Sequence, residues 1–212
     1  MLPNDIDISM FGEMPNEPLH LSVVPISVNE GFLSGEAILR QLEMELEFES
    51  GIARLPFTMI MPKSDRPCPA MVIISEEKEP SELVIQWVTN DFAVISLYYG
   101  DISKNDGSFK SGISAYISPT RRKKSSAGKL IIWAWAAIRA LEYAEVLGEI
   151  DKANIGVMGC GIWGLSAYLA TRRCPRFAFD KLIDIPIIDE EFVISNPHLF
   201  RPNCAKSTVF DN

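Results

Sequence analysis

The sequence is poor in the residues from which metal and nucleophile chemistry is usually built. Its 212 residues include two histidines, His20 and His198, and four cysteines, at positions 68, 160, 174 and 204. No CxxC pair occurs, so the ligand spacing of a structural zinc site is missing and no metal site is expected. Positive charge is scarce as well, with 20 Lys and Arg against 28 Asp and Glu, a formal charge of −8. Phosphate neutralisation needs clustered cations. The one cluster, Arg121-Arg122-Lys123-Lys124, sits beside a polar loop and reads as a solvated loop, so no nucleic-acid partner is expected. No run of about 18 apolar residues is present to span a bilayer. The opening MLPNDIDISMF has no basic flank followed by an apolar core, so no signal peptide is read there. A cytoplasmic protein with reduced thiols is the resulting expectation.

What the chain does contain is a composition suited to a packed core, 47% hydrophobic and 23% charged. Its organising stretch is NIGVMGCGIWGLSAYLA, residues 154–170. Ile155 to Met158 is a short apolar run of the kind a buried parallel strand needs. Gly159-Cys160-Gly161-Ile162-Trp163-Gly164 is a glycine-dense corner, and the Ala/Leu-rich segment after it reads as a helix. Strand, tight turn and helix form the geometry of a nucleophile elbow, and equally of a phosphate-cradling loop. The corner does not spell GxGxxG, and neither a Walker lysine nor a ribose-binding acid is clearly placed, so no cofactor is expected.

Residues 1–30 carry Pro3, Pro15, Pro18 and Pro25 and read as an irregular arm, with a short helix over 36–42. The alternation EMELEFE over 43–49 predicts a half-exposed edge strand, and Arg54 to Met61 its antiparallel partner, with Pro56 weakening the start. Ala70 to Ile74 and Phe92 to Tyr98 are apolar strands, and Ser81 N-caps a helix running to Thr89. Residues 100–126 lack an obvious element, and loops of that length are usually functional or mobile. Residues 128–147 give the best helix, apolar nearly all round in its first half and so deeply buried. Phe177 to Ile188 supplies one further strand. The expected organisation is an N-terminal arm (1–35), an α/β domain (36–188) and a tail (189–212). Strands alternating with helices predict a mostly parallel sheet covered on both faces, entered through an antiparallel edge.

Three blocks, LPFTMIMPKSDRPCPAMVIIS (55–75), FAVISLYYGDISKNDGSF (92–109) and GKLIIWAWAAIRALEYAEVLGEIDKANIGVMGC (128–160), make the chain resemble the α/β-hydrolase superfamily. Within it the chain is most similar to the branch of glucuronoyl esterases and acetylxylan-esterase-like proteins, over about residues 40–179. The WAW-x-x-x-R-A-x-x-Y block ahead of IGVMG is the most specific part of that likeness. The resemblance implies an α/β-hydrolase sheet and carboxylic-ester chemistry. It also implies an elbow of Gly, His or Cys, nucleophilic Ser, then Arg, with a Gly three places after the Ser. Gly159, Cys160 and Gly164 match that pattern, but Gly161 stands at the nucleophile position and Ile162 at the arginine. Glycine offers no oxygen to attack a carbonyl, and isoleucine cannot donate to an oxyanion.

By that resemblance the chain is a degenerate ester hydrolase, inactive for want of a nucleophile. Two alternatives stand beside it: an ester or thioester hydrolase using Cys160 with His198 as base, and a non-catalytic module binding a glycan or a protein. Cys160 reads more simply as a small buried thiol, because moving the turn by one residue would place Met158 and Ile162 where small residues are required. Ser166 lies more than a turn into the following helix and reads as a packing serine. His20 precedes the sheet. Asp180, Asp184, Asp189, Glu190 and Glu191 supply carboxylates that read as solvated charges. The loop Ser75-Glu76-Glu77-Lys78-Glu79, which the family would use for its second oxyanion donor, carries three carboxylates that oppose a developing negative charge. After Phe179 only 33 residues follow. The family's last strands are therefore expected to be missing, which would leave an exposed apolar edge through which the chain associates.

Overall fold

The computed structural model describes residues 8–203. Seven strands form one sheet: β1 (His20–Phe32), β2 (Ala37–Phe48), β3 (Gly51–Pro62), β4 (Cys68–Ser75), β5 (Ala93–Tyr98), β6 (Ile150–Cys160) and β7 (Phe179–Ile183). Their spatial order is β1-β2-β3-β5-β4-β6-β7. The first three make an antiparallel meander, joined to the rest where Thr58–Ile60 of β3 pairs antiparallel with β5. From β5 to β7 every pairing is parallel. Helices α1 (Glu82–Thr89), α4 (Lys129–Val146) and α5 (Ile162–Arg173) are the crossovers, while α2 (Tyr99–Ile102), α3 (Ser114–Ile117) and α6 (Glu190–Ser195) are short.

Alternation along β4 explains why both faces are covered. Met71 and Ile73 pack with Val84 and Val88 of α1 on one face. Val72 and Ile74 point the other way, into the larger core around α4 and α5. In α4, 14 of its 18 residues are buried, which is why its sequence shows no polar stripe. The hydroxyl of Ser81 accepts from the Val84 N–H, capping α1 as the sequence predicts. Among the described residues no helix is long and apolar enough to cross a membrane.

Four expectations are corrected. The arm expected over 1–35 is not irregular throughout, because His20–Phe32 is a 13-residue strand. Its prolines mislead: Pro25 lies on the sheet's outermost strand at a register shift, where a missing N–H costs no ladder bond. The helix expected over 36–42 is instead the first half of β2, whose Leu42, Met44 and Leu46 are buried at every second position. Pairing with β1 and β3 on both sides overrides its helical propensity. The stretch 100–126 is not free of elements, since α2 ends and α3 falls within it. Pro56 is accommodated because β3 has a second neighbour only over Thr58–Ile60. The last strand occupies only Phe179–Ile183 of the expected 177–188. At the sheet edge it exposes Asp180 and Lys181 in place of a continuous apolar row. Cys204 lies outside the described residues.

Candidate functional site

The glycine corner folds as a strand-to-helix elbow. Gly161 follows β6 with φ 57° and ψ −128° and caps α5. Its N–H donates to Ile183 O at 2.8 Å, and its carbonyl accepts from Gly164 N at 3.1 Å. These bonds hold the turn against β7. The flanking glycines are required by space: a Cβ on Gly159 would collide with the Trp163 carbonyl and stand 2.8 Å from Gly164 N. One on Gly164 would stand 2.7 Å from Ile185 Cγ2 and 3.0 Å from Gly159 O. Gly161 differs. A Cβ there would meet nothing within 4 Å, so the tip faces open space where a nucleophile's side chain would project. Glycine also adopts this positive φ without the steric penalty of an L side chain.

Cys160 is half-buried and does not stand at the tip. It lines a cleft of about 190 Å³ between the ends of β4 and β6 and the start of α1, with Ser75, Glu76, Glu77 and Ser81 among its neighbours. Burial, reinforced by the Glu76 and Asp184 carboxylates, pushes the thiol above its ordinary pKa. A thiol held protonated is a poor nucleophile. Of the three carboxylates in the acidic loop, Glu76 bears on Cys160 and also on Tyr99, whose hydroxyl is raised by burial, Tyr98 and Glu76. In the same loop the Ser75 hydroxyl accepts from the Glu77 N–H at 3.0 Å. Lys78 turns away to Asp101 at 3.0 Å.

His198 does not join the elbow. Its Nε2 is 2.8 Å from Asn105 Oδ1, and among the described residues it makes no hydrogen bond to Cys160 or Gly161. Burial and the nearby Lys129 charge lower its pKa, opposed by Asp106. His20 is exposed at the start of β1. Ser166 is fully buried within α5, with Ile162 O 3.5 Å from its hydroxyl. Asp189 caps α6 by accepting from Phe192 N at 2.8 Å. Asp180 and Glu191 are exposed, and Asp184 follows β7 at φ 47°. Glu190 opens α6, away from the tip in sequence.

Two features escape sequence reasoning. Trp163, two residues after the tip, packs 4.7 Å from Tyr99 and 6.0 Å from Trp133, so an aromatic group underlies the elbow. The second is Lys129, the first residue of α4, which is fully buried. Its ammonium donates to Ser103 Oγ at 2.7 Å, Lys104 O at 2.8 Å and Ser108 O, stands 3.7 Å from Asp106 Oδ1, and lies over the Phe109 ring. It pins the 103–109 loop beside the aromatic group, where Trp133 Nε1 donates to Ser103 O. A lysine opening an apolar helix gives no sequence signal of such a role.

The geometry can be set beside known proteins. Residues 45–190, more than half of the chain, match the profile of the family described as "Glucuronyl esterase, fungi". A glucuronoyl esterase from Solibacter usitatus superposes with a TM-score of 0.78 at 20% identity, over 96% of this chain and 65% of that one. One from Caldicellulosiruptor kristjansonii, of carbohydrate esterase family 15, gives 0.69 at 19% identity, over 94% and 59%. Another of that family from Teredinibacter turnerae gives 0.66 at 22%, over 81% and 47%. The chain thus spans 65% or less of the length of these three neighbours. No curated protein matches it significantly. These structural likenesses establish the α/β-hydrolase fold, and the profile match takes in the parallel strands, their crossover helices and the elbow: the chain belongs to the glucuronyl esterase family.

Proposed function

We propose that this chain is a degenerate carboxylic-ester hydrolase-fold protein, related to carbohydrate esterases, that does not turn over esters. The observation that carries this reading is Gly161: the tip of a well-formed elbow has open space and no nucleophilic atom. Loss of a triad serine costs on the order of 10⁶ in kcat where it has been measured in a protease. Glu76 and Asp184 add to the case. Both act on the elbow residue Cys160, and a carboxylate near a developing oxyanion raises the barrier.

The Cys160 reading is opposed by its place one residue before the tip, by its raised pKa, and by the engagement of His198 with Asn105. The reading as a binding module has support of its own. Tyr98 and Tyr99 are half-buried at the strand-end mouth, where ligands of open α/β sheets bind. Aromatic faces there suit a small ester or a glycan.

The test is turnover of methyl-glucuronate, acetyl and nitrophenyl esters by the wild type and by Gly161→Ser. The wild type is expected to match buffer. The variant is expected to stay within about tenfold of it, because a serine without a base remains a weak nucleophile. Robust wild-type turnover sinks the proposal.

A further inference from the structure

Residues 57–61 of β3 and 93–97 of β5 are buried throughout, yet each stretch contains one polar residue, Thr58 and Ser96. Both are more than nine-tenths buried. Register sets them directly opposite each other, and Gln41 of β2 is opposite Thr58 on its other side. The three form one row across three strands, about 10 Å from end to end at ordinary strand spacing. The neighbouring row on that face is Leu39, Ile60 and Val94, which packs with Val84 and Val88 of α1. The helix covers this apolar row and leaves the polar one open.

A cleft of about 170 Å³ lies over the polar row. Ile26, Pro56 and the Tyr98 ring give it apolar lining, and Lys78, Glu79 and Asp101 give it charge. Lys78 is committed, because it pairs with Asp101 at 3.0 Å and stands 5.0 Å from the Tyr98 ring centroid. Glu79 leaves the lining a formal −1. The floor is not committed. Among the described residues, the Thr58 and Ser96 hydroxyls and the Gln41 amide have no hydrogen-bond partner, and neither hydroxyl is shut off from solvent. Unbonded polar groups at that depth are a cost to the fold that a ligand can remove. They also stand on a rigid sheet, so little ordering is required of them on binding.

We propose that this cleft binds one neutral sugar ring, at a site separate from the elbow. Hydroxyls and a carboxamide each donate and accept, as the hydroxyls of a pyranose do. The apolar lining suits the C–H faces of the ring, and the formal −1 opposes a carboxylate on it. The cleft is smaller than the roughly 300–1,000 Å³ of drug-sized pockets, so it takes a single ring and not a chain of them. The 75–79 loop divides it from the elbow: Glu76 and Glu77 line the cleft of Cys160, Lys78 and Glu79 this one. The site sharpens the reading as a binding module, and it stands whether or not the elbow turns over esters.

Amide chemical-shift titration of the full chain with methyl glucoside, glucuronate and cyclohexanol tests this without reference to ester turnover. Methyl glucoside is expected to give saturable shifts at Gln41, Thr58 and Ser96, with a Kd of about 1 mM. Glucuronate should bind at least about fivefold more weakly, and cyclohexanol, a ring with one hydroxyl, should not saturate. Thr58→Val and Ser96→Ala should each weaken glucoside binding about fivefold. Both variants should keep or raise the urea midpoint, because the hydroxyls they remove have no partner among the described residues. Absence of saturable shifts, shifts centred on residues 159–164, glucuronate or cyclohexanol binding as tightly as the glucoside, or unchanged affinity in both variants would each overturn the proposal. A urea midpoint lowered in both would show the hydroxyls to be structural and would overturn it as well.

Discussion

Raising the pH should stabilise this protein through one side chain, Lys129. Burial, aided by Arg122 and opposed by Asp106, lowers its pKa to about 8. In the unfolded chain a lysine titrates near 10.4, and the gap of about 2.4 pH units corresponds to about 3 kcal/mol. The sign follows from proton counting. Between the two values the unfolded chain holds a proton that the native state has released, so stability rises with pH there. Below about pH 8 the native state carries the full cost of the buried charge, and above about 10.4 it carries none. Tyr99, Tyr143, Cys68 and Cys160 act the other way, since burial holds each above its ordinary value and their unfolded forms lose protons first. The Lys129 contribution is therefore isolated as the difference between the wild type and Lys129→Met. Near pH 7 that difference is small. The variant strands three oxygen acceptors at about 1 kcal/mol or more each, but it is spared a buried charge of similar cost. By about pH 10.5 the wild type should be ahead by about 3 kcal/mol more than at pH 7. Urea unfolding followed by tryptophan fluorescence in half-unit steps measures this. Parallel curves for the two proteins would refute the reasoning.

Gly159→Ala should cost about 3 kcal/mol in urea unfolding, because its methyl meets the Trp163 backbone, which cannot yield as a side-chain tip can. Gly161→Ala should cost only about 1 kcal/mol, from its positive φ alone, and equal losses at the two positions would contradict the elbow geometry. Cys160 should react with iodoacetamide at about pH 7.5 roughly tenfold more slowly than a free thiol. Replacing Glu76 by Gln and Asp184 by Asn should speed that reaction, and no change would show that the carboxylates do not act on the sulfur.

The parallel half of the sheet was legible because its strands are continuous apolar runs. Ala70–Ile74 and Ile155–Met158 fall within β4 and β6, Phe92–Tyr98 exceeds β5 by one residue, and Ser81 marks the start of α1. The antiparallel half was read less well. The exposed outer strand β1 carries Pro25 and little alternation, so its pairing with β2 is written in a neighbour and not in itself. The elbow could be read because its requirement is local, one small residue at each close approach. What surrounds it could not. Asp184 reaches Cys160 only through the pairing of β7 with β6. Lys129 meets four oxygen groups from residues 103–108, with no pattern that a window of sequence could contain.

The meander also sets an order of events during synthesis. β2 and β3 are separated by two residues, and such hairpins close in about 1–10 μs. β4, by contrast, lies between β5 and β6 and pairs Ala70 with Ile155. At about 5–20 residues per second, a ribosome needs roughly 4–18 s to pass from the end of β3 to the start of β6. For most of that interval, until α4 has been made, Met44, Leu46 and Leu55, fully buried in the finished protein, have no α4 to pack against. The nascent chain is thus a folded ribbon with one oily side, held open for seconds. Chaperone binding and misassembly compete for it in that window, before the elbow exists.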